Sequence, residues 1–476
     1  MFGIMIDRSS QRSVTAQLCD QIRRKVESGD IPRGTRLPST RQLAKELGIA
    51  RNVAIEAYEQ LIAEGYLVGR VGSGTFVAEG IAPSAGPRPA AGGFTVFRPQ
   101  AARAVAPGAS RHGAGRGGVI RFATGVPDLE RFPRSRWARY LKEAALDDAC
   151  DYGDVRGEEA LRAEIAAFLF RSRGLRVDPD RIMITHGSSD GFDLAARALR
   201  PRFDSVILED PTIEITGHIF FRAGYRVEPV PVDESGMRVH ELGALPPGSL
   251  MVLTPSHQYP TGGILPIQRR LHAVRLAEEA GAYILEDDYD GDFRLKGVPI
   301  PPLCMLGPDR VIYAGTFSKT LAPGLRLGFL VLPDSLAGPF AAFREAANLR
   351  MPTAPQIALA RFIRDGHLER HIHRMRAVYR NRRALLIEAL RRHFGDRAVI
   401  RGDEAGMHLL VEFPDLAEAP DWSRAVRCGV EVDSVEDYCV RRGLRTRQIV
   451  LGYGNIREAD IEPGIERLSR FVRERE

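Results

Sequence analysis

One segment of the chain, residues 80–118, limits the folds that the remainder can adopt. Its 39 residues include ten Ala, nine Gly and five Pro, and none is acidic. Such a composition cannot bury enough apolar surface to offset the entropy lost on ordering, so it predicts a flexible linker. The chain should therefore form two units, residues 1–79 and 119–476, because 476 residues exceed what one hydrophobic core usually organises.

Charge is unevenly distributed over these three segments. Residues 1–79 carry 11 Lys and Arg against 9 Asp and Glu, the linker carries 5 against 0, and the remainder carries 51 against 52. The basic excess thus lies in the first quarter of the chain, where a polyanion would bind. The linker arginines could contact a DNA backbone, but a solvated tether is the simpler interpretation.

Composition and cysteine content exclude several classes of protein. The N-terminus has no basic segment followed by an apolar stretch, and no run approaches the roughly 18 apolar residues of a membrane span, so we expect a cytoplasmic protein without membrane contact. The cysteines are odd in number and form no CxxC pair, being Cys19, Cys150, Cys304, Cys428 and Cys439. They predict reduced thiols, and neither a disulfide framework nor a metal site.

Residues 1–79 show three short helical patterns followed by a hairpin. A first helix is predicted at about residues 15–28, where apolar residues recur every four positions. A second begins after Pro38, where Ser39 is placed to form a capping box with Gln42, and Gly48 is placed to end it. A third ends at Gly65. Two alternating runs then flank a glycine-rich tip. Three helices and a wing predict a winged helix-turn-helix, whose third helix enters the DNA major groove.

This unit resembles the GntR family of bacterial regulators in three motifs, LPSTRQLAKELG at 37–48, ARN at 50–52 and GSGTFV at 72–77. The resemblance implies that the second and third helices reach phosphates or base edges and that the wing enters the minor groove. The implied DNA-binding residues are Arg36, Ser39, Arg41, Arg51, Asn52, Arg70 and Gly72. Ala50 departs from the family, which has Ser or Thr there to cap the recognition helix. Alternatively, these arginines only solvate a small helical domain.

From residue 119 onward, apolar strand-like runs alternate with helical segments, which predicts a doubly wound α/β domain. Five runs end in polar motifs, namely HGSS at 186–189, EDP at 209–211, TPSHQYPTG at 254–262, EDDY at 286–289 and GTFSK at 315–319. In open α/β sheets, ligands bind outside the carboxyl ends of the strands. The five motifs therefore predict one shared pocket.

These strand ends carry the groups that a pyridoxal 5'-phosphate (PLP) site requires. Lys319 can form an imine, and Arg326, seven residues later, can bind a phosphate. An acidic residue after the preceding strand, among Glu286, Asp287 and Asp288, can hold the pyridine nitrogen protonated. Gly187 and Ser188, where a strand turns into a helix, offer amides and a hydroxyl at the positive end of the helix dipole.

The motifs resemble a fold-type I aminotransferase, and their order resembles the MocR/GabR regulators, in DYGDVRG at 151–157, TPSHQYPTG, EDDYD at 286–290 and GTFSKT at 315–320. The resemblance covers about residues 119–472 and implies a mostly parallel sheet flanked by helices, with a smaller C-terminal α+β part. It implies that Lys319 is the Schiff-base lysine, that Asp287 pairs with the pyridine nitrogen and that Tyr289 bonds the ring O3′. The implied phosphate ligands are Ser188, Thr316 and Arg326, with Tyr152 reaching the phosphate of the opposite subunit in a homodimer.

Three positions depart from the aminotransferase pattern. Ile213 stands where an aromatic residue usually stacks on the cofactor ring. Tyr259, preceded by His257 and Gln258, replaces an asparagine. Val450 occupies the position that we assign to the arginine that binds the substrate carboxylate, and Arg447 is the nearest cation in the sequence. These departures disfavour turnover of ordinary α-amino acids more than they disfavour ligand binding.

Three classes of function remain. The first is a transcription regulator that binds operator DNA and senses an amine, an amino acid or PLP itself through an aldimine at Lys319. The second is a working aminotransferase with an accessory DNA-binding domain, and the third is a PLP-binding scaffold. The fused winged helix favours the regulator, since an enzyme needs none. The sequence names neither the effector nor the operator, and it leaves the sign of regulation open.

Overall fold

A computed structural model describes residues 3–10, 12–70, 73–79, 118–147 and 151–473. Apart from Gly118, the predicted linker at 80–118 lies outside the described residues, as does Gly72 of the wing.

The N-terminal unit consists of α1 (Val14–Glu27), α2 (Thr40–Leu47), α3 (Arg51–Ala63), β1 (Leu67–Arg70) and β2 (Gly74–Val77), and the two strands form an antiparallel hairpin. The Ser39 hydroxyl accepts a hydrogen bond from the Gln42 amide at 3.2 Å and caps α2, and Gly48 ends this helix with a φ of 62°. The Gln42 side chain donates to Glu46, so only half of the predicted capping box forms. Ala50 precedes α3 and its side chain makes no capping hydrogen bond, which agrees with the prediction from the sequence.

The larger unit completes the small core of the winged helix. Ile267 and Val298 are buried in the same apolar cluster as the three N-terminal helices. Several hydrogen bonds cross the junction. Among them, the Ile267 amide donates to the Glu64 carbonyl at 2.9 Å and the Gln268 side chain donates to the Gly65 carbonyl at 2.6 Å. The two units therefore pack directly against each other.

Eight strands form the central sheet of the larger unit, following a short β3 (Ile120–Arg121) that lies apart from it. They are β4 (Ile182–Thr185), β5 (Ser205–Asp210), β6 (Arg226–Asp233), β7 (Gly236–Met237), β8 (Ser249–Leu253), β9 (Tyr283–Asp288), β10 (Val311–Thr316) and β11 (Gly328–Val331). Their order is β4-β11-β10-β9-β8-β5-β6-β7. The β6-β5-β8-β9-β10 run is parallel, whereas β11 is antiparallel to both neighbours and β7 to β6. The predicted mostly parallel sheet is confirmed.

The sheet is buried on both faces. Along β4, Ile182 and Ile184 belong to one apolar cluster and Met183 belongs to another. Successive side chains of a strand point to opposite faces, so both faces carry a core. The helices that accompany the sheet are α4 (Arg134–Leu146), α5 (Glu159–Arg173), α6 (Ser188–Leu199), α7 (Glu214–Arg222), α8 (Ile267–Ala280), α9 (Asp334–Ala346) and α10 (Thr353–Arg364).

A smaller α+β part follows, as expected. It contains α11 (His367–Phe394), β12 (Val399–Arg401), β13 (His408–Glu412), β14 (Val430–Glu431), β15 (Asp433–Ser434), β16 (Gln448–Gly452) and α12 (Glu458–Arg473). The sheet β12-β13-β16-β15 is antiparallel, and β14 pairs with β3. Within the described residues, no helix combines the length and apolar character that crossing a lipid bilayer requires.

Candidate functional site

Lys319 lies in the turn after β10, at the carboxyl end of the parallel strands. Its Nζ donates a hydrogen bond to the Gly125 carbonyl at 2.6 Å. Burial lowers the pKa of Lys319, and the nearby Asp287 carboxylate opposes this effect only in part. A lysine of lowered pKa is an unprotonated nucleophile over a wider pH range, which suits imine formation.

Asp287 belongs to the adjacent strand β9, where the parallel register pairs it with Ala314. Its Oδ1 atom is buried and has no hydrogen-bond partner within the described part of the chain. Burial, and next the neighbouring Asp288 carboxylate, raise the pKa of Asp287 to about 8. A buried polar atom without a partner is costly, and a protonated pyridine nitrogen would supply the missing donor.

Tyr289 follows β9 directly and contacts a buried histidine. Its hydroxyl is 3.1 Å from His257 Nδ1, which also lies 2.9 Å from Asp290 Oδ2. Burial raises the pKa of Tyr289 far above its usual value, so the phenol stays protonated and can donate a hydrogen bond. Asp290 and the nearby His408 were not predicted as site residues, and the only signal for His257 was its place in the TPSHQYPTG motif.

The ligand atoms of His257, Asp290 and His408 lie within 4.8 Å of one another, a spacing that a metal ion could also use. The expectation of no metal site rested on the cysteines alone, and it stays a prediction.

A glycine, an arginine and a serine surround the start of α6. Gly187 precedes the helix with a φ of 92°, and Ser188 is the first helical residue. A Cβ atom at Gly187 would lie 3.6 Å from Arg326 Nη1 and 3.7 Å from Ser318 Oγ. The Thr316 hydroxyl accepts a hydrogen bond from the Ser318 amide at 3.1 Å. Helix amides and a guanidinium that meet at one point can hold a phosphate. Ser318 also belongs to this group, and the sequence did not identify it as a site residue.

Tyr152 is 76% exposed, and the Arg350 guanidinium lies 5.7 Å from its ring centroid. Its predicted role toward a second subunit stays a prediction.

Most of the predicted DNA-binding residues lie on the surface of the winged helix. Arg51 and Asn52 are exposed at the start of α3, and Arg41 is exposed on α2. Exposed Arg36 lies beside the wing, where a Cβ atom at Gly74 would be 3.2 Å from its Nε. The capping role of Ser39 places it at the start of α2.

Arg70 in the wing pairs with Glu79 at 2.9 Å and lies over the Phe76 ring. Both charged side chains are mostly exposed, so this ion pair is weak and leaves the arginine able to exchange partners.

Family comparisons match both units. Residues 14–77 match the bacterial regulatory proteins of the gntR family, and residues 117–455 match aminotransferase class I and II. The chain is 33% identical to the probable rhizopine catabolism regulatory protein MocR of Rhizobium meliloti, across 98% of this chain and 95% of the relative. The chain belongs to the MocR family of transcriptional regulators.

Other relatives agree with this MocR assignment. The pyridoxine biosynthesis regulator PdxR of Corynebacterium glutamicum is 33% identical across 95% of this chain and 94% of its own. The crystal structure of a multiple substrate aminotransferase from Thermococcus profundus superimposes with a TM-score of 0.69, at 27% identity, over 76% of this chain and 93% of that chain. The aminotransferase class I and II fold typically binds PLP. The helix-turn-helix of a regulator implies operator DNA as a partner.

The departures noted in the sequence lie at defined places in this MocR-family fold. Ile213 stands directly before α7, and Tyr259 is buried. Val450 on β16 is fully buried and pairs with Asp433 of β15. Exposed Arg447 donates hydrogen bonds to the carbonyls of residues 414 and 417. Arg447 is therefore engaged with a main-chain turn in place of a ligand.

Proposed function

We propose that this regulator holds PLP on Lys319 and uses it to sense an amine, an amino acid or PLP itself. The observation that carries the proposal is the buried Oδ1 atom of Asp287, which has no partner among the described residues and lies on the strand next to the lysine. A carboxyl of strongly raised pKa beside a lysine of lowered pKa is typical of a functional site.

Each side chain of the site has a role in this proposal. Asp287 holds the pyridine nitrogen, and Tyr289 donates to the ring oxygen O3′. The phosphate is bound by Gly187, Ser188, Thr316 and Arg326. When bound, the cofactor supplies an aldehyde carbon that Lys319 can hold as an imine and that an incoming amine can take over. The lowered pKa of the lysine lets it leave and return as a neutral amine.

A homodimer is part of the proposal. The exposed Tyr152 is available to reach the phosphate of a second subunit. We assign residues 1–79 to DNA binding, 80–118 to the linker and 119–476 to cofactor and effector binding. Two winged helices would then bind paired half-sites, with the linker setting their reach.

The junction between the two units supports a link between effector and DNA. Arg294, four residues after Asp290, donates to Gln60 Oε1 through Nε at 3.1 Å and Nη2 at 2.8 Å. Gln60 lies on the recognition helix α3 and donates to Glu64, which pairs with Arg23 at 2.7 Å. An effector that changes the segment after Tyr289 would change how the winged helix docks. A coupling of about 1–3 kcal/mol would shift operator affinity roughly 5- to 150-fold.

The alternative is a working aminotransferase. The burial of Val450 and the outward contacts of Arg447 favour the sensor, since neither residue is placed to bind a substrate carboxylate. Overnight incubation with amino donors and a keto acid separates the two functions. Many turnovers would establish the enzyme, whereas a shift of the cofactor spectrum without turnover fits the sensor.

The cofactor assignment is tested by reduction with borohydride, which fixes an imine covalently. Peptide mapping should place the fixed cofactor on Lys319. Lys319→Ala should lose the imine absorption and keep operator binding, whereas Lys296→Ala, which removes an exposed lysine paired with Asp403, should retain both. Cofactor fixed on another lysine would overturn the assignment. Full effector response by Lys319→Ala would show that imine exchange is not the signal.

A further inference from the structure

Hydroxyl and carboxyl side chains gather beside the lysine, on the side of Gly125. The Thr124 hydroxyl donates to Asp433 Oδ2 at 2.7 Å, and the Tyr438 hydroxyl donates to the same oxygen at 3.2 Å. The two hydroxyl oxygens are 3.1 Å apart. Thr124 directly precedes Gly125, whose carbonyl binds Lys319 Nζ. The group therefore begins one residue from the lysine contact.

Tyr259 closes one side of this group. Its ring is edge-on to Tyr438 at 5.1 Å and to Tyr289 at 5.8 Å. Burial raises the pKa of Tyr259 and of Tyr438 well above the usual value. Both phenols therefore stay protonated. Tyr438 can then donate to Asp433.

No cationic side chain forms a salt bridge with Asp433 in the part of the chain that the structure describes. Both of its hydrogen bonds come from neutral hydroxyls and end on Oδ2, and within the described residues it takes part in no salt bridge. The residue opposite it on β16 is the buried Val450. The residue is only partly buried, and neither of these two hydrogen bonds uses Oδ1, which keeps its capacity to accept one.

Asp433 and the lysine are near each other without being in direct contact. Lys319 Nζ donates to the Gly125 carbonyl, whereas Asp433 accepts from the side chain of the preceding residue, Thr124. A ligand that takes the place of the lysine amine must therefore extend over several atoms before it reaches the carboxylate.

We propose that Asp433 selects the effector. The ligand is an amine that carries a second donor, an ammonium or a hydroxyl group, several atoms from its reactive nitrogen. An ammonium or hydroxyl hydrogen donates to Oδ1, and such bonds to a charged acceptor are the stronger kind. A ligand carboxylate in that place meets a like charge with no cation to offset it. This inference rests on the proposed function, because it assumes that the cofactor is bound at Lys319.

Four probes of matched chain length test the selectivity. They are putrescine, aminobutanol, γ-aminobutyrate and butylamine, which differ only in the group at the far end. The measurement is the half-saturation concentration for the change in imine absorption of the cofactor-loaded protein. We expect putrescine and aminobutanol to act at about tenfold lower concentration than γ-aminobutyrate and butylamine.

Conservative variants test whether the charge of Asp433 causes the selectivity. Asp433→Asn keeps an oxygen that accepts from Thr124 and Tyr438 but removes the charge, and it should abolish the preference for putrescine over γ-aminobutyrate. Tyr438→Phe keeps the charge and should retain that preference. Asp415→Asn, at an exposed turn of the C-terminal part, is the matched control and should behave as the wild type.

The outcomes are distinguishable. Equal responses to the four amines, including none at all, would overturn the inference, and so would a preference that Asp433→Asn leaves unchanged. The imine band is recorded before any amine is added. Its absence from the wild type would overturn the proposed cofactor site itself, and the selectivity inference with it.

Discussion

Removing the Arg294 side chain should loosen the winged helix from the cofactor unit. The arginine side chain is 5% exposed and donates two hydrogen bonds to Gln60 Oε1, at 2.8 and 3.1 Å. Hydrogen bonds to charged groups contribute about 1.5–3 kcal/mol each, and the buried Gln60 oxygen would lose both donors. Because part of this loss is recovered by water entering the gap, we expect Arg294→Ala to weaken docking by about 2–3 kcal/mol.

The amide of Ile267 reports this docking directly, since it donates to the Glu64 carbonyl across the junction at 2.9 Å. Where hydrogen exchange follows the opening equilibrium, a loss of about 2–3 kcal/mol accelerates exchange of this amide roughly 30- to 150-fold. Exchange in the β9–β10 strands should not change. Gln42→Ala, an exposed change on α2 away from the junction, is the control.

A double-mutant cycle decides whether the pair itself is responsible. Gln60→Ala and Arg294→Ala should be non-additive, with an interaction energy of about 1–3 kcal/mol, because each variant removes the same two bonds. Additive effects, or unchanged exchange at Ile267 in Arg294→Ala, would refute the reasoning. In that case the apolar contacts of the junction would hold the winged helix without the arginine.

Three further predictions concern the site, the DNA surface and the assembly. Burial raises the folded pKa of Asp287 to about 8 from 3.8, so the cofactor-free protein should lose stability as pH rises from about 4 to 8. In urea unfolding, the free energy of unfolding of Asp287→Asn should fall less steeply with pH than that of the wild type, by up to about 1 kcal/mol per pH unit. An unchanged dependence on pH would show that another group titrates. Arg51→Ala should weaken operator binding and reduce the salt dependence of binding by about one counterion without changing the cofactor spectrum, whereas exposed Arg427→Ala should do neither. Light scattering at micromolar concentration should give the mass of a dimer, and a monomer would contradict the proposed role of Tyr152.

Local chemistry made much of this protein predictable from its sequence. Ser39 and Gly48 lie at the two ends of α2 as expected, because helix capping and left-handed turns depend on residues within a few positions. The capping box was only half correct, since Glu46 competes for the Gln42 side chain one helical turn away. Polar motifs after apolar runs placed Asp287 and Lys319 at the ends of neighbouring parallel strands, because parallel strands end at the same edge of a sheet.

Contacts between distant positions were decided only by the tertiary structure. Gln60 and Arg294 are 234 positions apart, and Thr124 and Asp433 are 309 apart, yet both pairs are joined by hydrogen bonds. No periodicity or local motif encodes such pairs, because they depend on how the sheet, the C-terminal part and the winged helix pack together. Sequence by itself determined the two kinds of domain and the position of the candidate site residues at the strand ends. The Asp287 oxygen that lacks a partner among the described residues, the hydrogen bonds of Asp433 and the contact that joins the two units emerged only from packing, since burial and partnership belong to the folded chain.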